Sequence, residues 1–259
     1  MFQYWINEHT KLLSLRLGYR LLRAPQVYWK RNAPRLLVES VGAPASGKTT
    51  TLREVYKYNR AEIERLRPRV HLEKASVRRT VPPSHLEIIR EFIDLGLSQK
   101  PRFSGRNADY SHFEMLIFRL HQSAYYLNMG GMVLEEEGLF KTFPEAMLSY
   151  LNRQAPSSAS CLENRAFVIF ETRPDFHANM MKSRKLGRLW TRKARDEVEN
   201  ALDETLPKRI EKYEKTLAVW SDLKSQFQKS GTPYIVVDPE WGLRASAQEI
   251  ERFINDPFG

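Results

Sequence analysis

The chain has 259 residues, 41 Lys+Arg against 31 Asp+Glu for a formal charge of +10, and one cysteine, Cys161. With 42% hydrophobic and 28% charged residues it can build a core, which excludes wholesale disorder. A single cysteine excludes an intrachain disulfide framework, and no apolar run approaches the roughly 18 residues of a membrane span. The N-terminus lacks the unbroken apolar stretch of a signal peptide, so a reducing, cytoplasmic location is the expectation.

The charge is unevenly placed. Lys11, Arg16, Arg20, Arg23, Lys30, Arg31 and Arg35 face only Glu8 within the first 35 residues. Arg173, Lys182, Arg184, Lys185, Arg188, Arg192 and Lys193 face only Asp175 over 172–193. These two segments carry more than the whole excess, and the remainder is slightly acidic. A uniformly basic nucleic-acid binder has a different charge distribution.

In chain order, residues 1–34 read as a basic amphipathic leader, with Leu12, Leu15, Tyr19 and Leu22 at helical spacing and Pro25 and Pro34 as punctuation. Arg35–Val41 reads as a buried strand. A helix is predicted from Lys48 to about Arg67, stopped by Pro68. Val70–Lys74 is a second strand, and a helix N-capped by Ser84 runs to about Leu97. Asp109–Asn128 is helical by period, Gly131–Glu136 a strand, Phe143–Arg153 a short helix and Ala166–Glu171 a strand. A charged helical region spans about Trp190 to Lys229, broken near Pro207. Tyr234–Asp238 is the last strand and Ala245–Ile254 the last helix. Strands alternating with helices predict an α/β fold: a five-stranded parallel sheet with helices on both faces, occupying residues 35–259 behind the leader. Ligands of such sheets sit at the carboxyl ends of the strands.

One strand end carries a specific pattern. Gly42-Ala43-Pro44-Ala45-Ser46-Gly47-Lys48-Thr49 fits G-x-x-x-x-G-K-[ST], after a strand and at a helix start. Glycines let backbone N–H groups turn inward onto phosphate oxygens, and the helix N-terminus adds partial positive charge. Lys48 then reaches the outer phosphates, Thr49 offers a hydroxyl to Mg²⁺, and Thr50 continues the phosphate-binding turn. Nucleoside triphosphate binding is the expectation, with ATP and Mg²⁺ as cofactors. No N-K-x-D follows, which argues against a GTPase. Met132-Val133-Leu134 ends in Glu135-Glu136-Glu137-Gly138, and Glu136 is the candidate metal ligand or base. Three adjacent carboxylates beside a phosphate site are expected to repel one another without a cation.

The second half resembles the thymidylate-kinase-like and deoxynucleoside-kinase-like P-loop kinases over about residues 35–256. Glu171-Thr172-Arg173-Pro174 follows the fourth strand. Arg184 and Arg188 match the R-x-x-x-R lid, Arg209 and Tyr213 the R-x-x-x-Y helix, and Tyr234–Asp238 the strand ending in Asp. The resemblance implies a three-layer P-loop fold with a lid at about 172–193. It also implies an ATP-dependent small-molecule kinase, in which Lys48, Arg184 and Arg188 neutralise the moving phosphoryl group. A carboxylate at the end of the second strand often contacts the acceptor in that family, which makes Glu73 the candidate base beside Glu136. Arg78, Arg79, Arg102 and Arg106 lie on loops expected to face the acceptor pocket, where they would bind an acceptor phosphate; Asp109, Tyr110 and Phe113 are candidates to line it, with ordinary packing the alternative and favoured role of the two aromatics. The family's D-R-[YHF] motif is replaced by Glu135-Glu136-Glu137-Gly138, and its R-E-P-G stretch by Glu73-Lys74-Ala75-Ser76. Thymidylate itself is therefore disfavoured, and the acceptor stays open among nucleosides, nucleotides, sugars and other small hydroxyl compounds.

The competing reading is a P-loop ATPase or nucleotide-dependent regulator acting on a macromolecular or membrane-associated partner. The leader interleaves Phe2, Tyr4, Trp5, Tyr19, Tyr28 and Trp29 with its basic residues. It is either an extra helix packed on the core, a segment for an anionic membrane surface, or a docking element for a partner protein. Nucleic acid is disfavoured, and a homodimer is a further reading. A sulfotransferase-like protein would share the fold, but Gly47-Lys48-Thr49 argues for a triphosphate.

Overall fold

The computed structural model describes residues 19–20, 27–59, 64–65, 73–74, 87–91, 94, 116, 119–120, 122–124, 126–127, 130–153, 160–186 and 205–258. Eight strands lie within them: β1 (Tyr19–Arg20), β2 (Val27–Lys30), β3 (Leu36–Gly42), β4 (Glu64–Arg65), β5 (Glu73–Lys74), β6 (Met132–Glu135), β7 (Arg165–Phe170) and β8 (Tyr234–Val237). The helices are α1 (Lys48–Tyr58), α2 (Leu139–Thr142), α3 (Pro144–Asn152), α4 (Pro174–Leu186), α5 (Leu206–Ser230) and α6 (Leu243–Asn255).

The main sheet has six strands in the order β4-β2-β6-β3-β7-β8. β6, β3, β7 and β8 are parallel, and their apolar runs are those of strands covered on both faces. Side chains alternate across the pleat. Val41, Phe167 and Ile169 face one way, onto Phe140, Met147, Tyr150, Trp220, Leu223 and Phe227 of α2, α3 and α5. The rings of Phe167 and Phe227 stack there at 4.1 Å, with Phe140 edge-on to Phe167 at 4.7 Å. Leu36, Val38, Met132, Leu134, Val168 and Val237 face the other way, onto Leu52 and Val55 of α1 and Ala247, Ile250 and Ile254 of α6. Helices therefore cover both faces of a mostly parallel sheet.

Three sequence expectations change. The sheet is not five parallel strands. Four are parallel, and β2 and β4 add an antiparallel edge, with β2 pairing β6 on one side and β4 on the other. β2 comes from the segment read as a helical leader, and its Val-Tyr-Trp-Lys sequence has the aromatic and β-branched content of a strand. Gly131 makes the pairing possible. Its φ is +71°, and a Cβ there would lie 2.5 Å from the Lys30 carbonyl oxygen. Secondly, α1 ends at Tyr58 rather than near Arg67. Asn59 closes it by turning both its backbone N–H and its side-chain amide onto the Val55 carbonyl, and Glu64–Arg65 then pairs with β2. Thirdly, Glu73–Lys74, the end of the expected second parallel strand, pairs antiparallel with β1 in a separate two-stranded sheet.

Pro207 sits in the first turn of α5, where a missing N–H costs nothing, so it opens that helix; the part of the expected helical region before Thr205 lies outside the described residues. Gly231 closes the same helix in the left-handed conformation, with φ 66°. Among the described residues no helix is long and apolar enough to cross a membrane.

Candidate functional site

The loop between β3 and α1 lies at the carboxyl end of the sheet, where the chain passes to β6 on one side of β3 and to β7 on the other. Its curl depends on glycine. Gly42 has φ 141°, and a Cβ there would lie 2.7 Å from the Phe170 carbonyl oxygen. Gly47 caps α1 with φ 81°, and Ala45 adopts φ 67°. Such left-handed positions turn successive N–H groups toward one point.

Lys48 is buried at 6% exposure. Its Nζ donates to the Gly42 and Ala43 carbonyls at 2.7 Å each and to Ser46 Oγ at 3.1 Å. Burial, and then the charge of Lys141, pull its ammonium down to about 7, against the opposing pull of Glu136 and Glu137. Arg184, on α4, is also within electrostatic reach of Lys48. Of the other predicted site residues, Glu136 meets the loop directly, through the Thr49 hydroxyl. Arg188, the loop candidates Arg78, Arg79, Arg102 and Arg106, the pocket candidates Asp109, Tyr110 and Phe113, and all of the leader except β1 and 27–34 lie outside the described residues. Glu73 belongs to β5, so the position at a parallel strand's carboxyl end from which its role was argued does not exist.

The three adjacent carboxylates do not all meet one cation: Glu135 and Glu137 share the Arg119 guanidinium, and Glu136 turns to the loop. They part because β6 alternates its faces and then ends. Glu135 points inward and is fully buried, 3.6 Å from Arg119 Nη1. Glu136 accepts a hydrogen bond from the Thr49 hydroxyl at the start of α1. Glu137 pairs with Lys141 at 2.7 Å and Arg119 at 3.3 Å. A hydroxyl and a carboxylate in contact at the loop are oxygen donors of the kind that would hold an Mg²⁺ ion together with phosphate oxygens and water. Among the described residues no cluster of three or more His, Cys, Asp or Glu holds a metal unaided.

Behind the loop lies a pair of carboxylates that the sequence argument passed over. Glu39 is fully buried on β3, bonded to Arg165 Nη1 and accepting from Phe140 N at 3.0 Å. Burial raises its carboxyl above the ordinary value, and raises that of Glu135 well above it, with Glu39 as a further cause. The signal was present: a charge in the middle of the apolar Leu36–Val41 run needs a partner.

On the far side of the loop, His177 Nε2 lies 2.8 Å from the Pro44 carbonyl oxygen, and its ring stacks on Tyr213 at 4.0 Å. Tyr213 Oη in turn accepts from Thr172 N at 3.2 Å. Tyr213 therefore supports the loop through His177, while Arg209 Nε donates to the Thr205 hydroxyl at 3.1 Å. Burial holds the His177 imidazole below its ordinary value. Arg173 reaches across to Glu240 at 2.8 Å, and Thr172 Oγ1 donates to Glu240 at 2.9 Å, tying the start of α4 to the turn after β8. Two backbone groups, the Pro44 carbonyl and Thr172 N–H, are what place His177, and no spacing rule encodes them.

Comparison with models of known protein families and with curated proteins finds no match. The functional argument rests on the site's own chemistry.

Proposed function

We propose that the chain has a P-loop fold and that the loop Gly42–Thr50 binds the phosphates of ATP with Mg²⁺. The protein then acts as an ATP-dependent phosphotransferase on a small hydroxyl or phosphate acceptor, most like a nucleoside or nucleotide. The observation that carries this is the contact of Thr49 with Glu136 beside the buried Lys48, at the end of two adjacent parallel strands. It provides a cation for the outer phosphates and a hydroxyl–carboxylate pair for the metal. Arg184, felt at Lys48 from α4, supports the lid role. Mg²⁺, when bound, neutralises charge on the phosphates. The residues named here orient the triphosphate and exclude water.

A second reading, a P-loop ATPase or nucleotide-dependent regulator of a partner, is favoured by one observation. The strand carrying Glu73 is not in the parallel sheet, so the carboxylate assigned to the acceptor is not placed by that sheet. Glu136 is then the base or metal ligand in either case.

The test is thermal stability with Mg²⁺ and a non-hydrolysable ATP analogue, for wild type and Lys48→Ala, followed by ADP release from ATP across a panel of nucleosides, nucleotides and sugars. A stabilising shift lost in Lys48→Ala, with ADP release accelerated by one acceptor class, supports the kinase. Acceptor-independent hydrolysis supports the second reading. No shift with any nucleotide overturns both.

A further inference from the structure

Lys141 is the third residue of α2, and its ammonium bonds Glu137 Oε1 at 2.7 Å. The backbone that carries it is held against the buried Glu39. Phe140 N donates to Glu39 Oε2 at 3.0 Å, and a Cβ on Gly138 would lie 2.2 Å from that same oxygen. The stretch from Glu135 to Lys141 therefore has little freedom to shift. One residue before Glu137, Glu136 touches the Thr49 hydroxyl at the first turn of α1. Lys141 stands beside the phosphate loop by this chain of contacts. Of the charges felt at Lys48, that of Lys141 is the strongest, ahead of Glu136, Glu137 and Arg184.

Lys48, Lys141 and Arg184 set three positive charges against the two carboxylates of Glu136 and Glu137. Two ammonium groups kept near one another by the fold repel, and the repulsion is relieved by an anion between them. Glu137 supplies part of that relief. Its side chain is 46% exposed, against 20% for Lys141 and 8% for its other partner Arg119, so the carboxylate is the most open of the three to an incoming ligand. Lys141 is bonded to the carboxylate that follows Glu136, and Glu136 is the partner of Thr49. With Thr49 and Glu136 as the residues that would hold the metal, this is the side on which the outer phosphates, not the nucleoside end, would lie.

We propose that Lys141 is a phosphate-contacting residue whose ammonium binds oxygens of the terminal phosphoryl group and so separates triphosphate from diphosphate. The proposal rests on the reading that the loop binds a nucleoside triphosphate. Lys141 exchanges Glu137 for the terminal phosphate, or holds both, and supplies at that group the positive charge that Lys48 supplies deeper in the loop. A structural role confined to the Glu137 ion pair would treat the two nucleotides alike.

The experiment is calorimetric titration of wild type, Lys141→Gln, Lys141→Arg and Glu137→Gln with Mg²⁺–ADP and with Mg²⁺ and a non-hydrolysable ATP analogue. Lys141→Gln is expected to weaken the analogue roughly ten-fold or more, the size of a charged hydrogen bond, and to leave ADP within about two-fold. Lys141→Arg retains the preference for the analogue. Glu137→Gln, which removes the competing carboxylate and with it one partner of Arg119, retains or strengthens it. Equal weakening of both ligands by Lys141→Gln, or weakening of neither, overturns the proposal and leaves the loop reading standing. Wild-type protein that binds neither nucleotide overturns the loop reading and the proposal together.

Discussion

Glu39 and Glu135 are register partners on adjacent parallel strands, both fully buried, with Arg165 and Arg119 as their cations. Their surroundings differ. Glu39 accepts from Arg165 and Phe140 N, whereas neither carboxylate oxygen of Glu135 has a hydrogen-bond partner among the described residues. Removing one partner of a well-made buried pair is costly, while neutralising a poorly solvated charge is not. Glu39→Gln is expected to destabilise by about 3 kcal/mol or more, since it strands Arg165. Glu135→Gln is expected to be neutral or to stabilise by about 1 kcal/mol. Denaturant unfolding of both variants checks the asymmetry; equal losses would refute it.

Gly138 is required for space, not for backbone conformation. Its φ of −84° suits any residue, but a Cβ would lie 2.2 Å from Glu39 Oε2 and 2.3 Å from its Cδ. Gly138→Ala is expected to cost about 3 kcal/mol, the upper range for overpacking, because Glu39 is anchored and cannot give way. Pairing it with Glu39→Ala should recover part of the loss, giving non-additive stabilities in a double-mutant cycle.

His177 adds a pH dependence to stability. Burial lowers its pKa from 6.5 in the folded protein, so between that depressed value and 6.5 the unfolded chain binds more protons. The stabilisation is present above 6.5 and is lost as pH falls through the folded value. His177→Phe keeps a ring on Tyr213 but loses the contact with Pro44. It is expected to cost about 1 kcal/mol near neutral pH and to flatten the melting temperature's decline below pH 6.5. An unchanged acid slope in His177→Phe would assign that slope to other groups.

Glu136 accepts from the Thr49 hydroxyl and, on the proposed function, would be a metal ligand. Glu136→Gln keeps a hydrogen-bond acceptor for the hydroxyl but removes the charge. The concentration of Mg²⁺ needed for half-maximal nucleotide binding is expected to rise roughly ten- to a hundred-fold, as with other groups that orient a metal site. Titrating Mg²⁺ at fixed nucleotide measures it, and an unaltered requirement would exclude Glu136 from the metal's surroundings.

Legibility followed contact range. β3, the loop and the start of α1 are contiguous, so the strand, the Gly42 and Gly47 turns and Lys48 were all readable in Arg35–Thr50. The strands β6, β7 and β8 were readable as apolar runs because parallel strands are buried on both faces. β2 was not. Four residues between two prolines and among arginines read as leader, and only pairing with β6 makes them a strand. The fates of Glu135, Glu136 and Glu137 were also hidden, because adjacency predicts repulsion while the strand end sends them to Arg119, Thr49 and Lys141.

By itself, then, the sequence determined a phosphate-type loop after a buried strand, an alternating α/β order and two basic segments at 1–35 and 172–193. These depend on residue type and local spacing, which covalent chain order preserves. Tertiary structure alone decided the antiparallel edge, the placement of Glu73 outside the parallel sheet, the buried Glu39–Glu135 pair, and the contact of His177 with the loop. Those depend on partners distant along the chain, such as Thr172 with Tyr213 at 41 residues and Pro44 with His177 at 133, which only the packing of strands and helices brings within bonding distance.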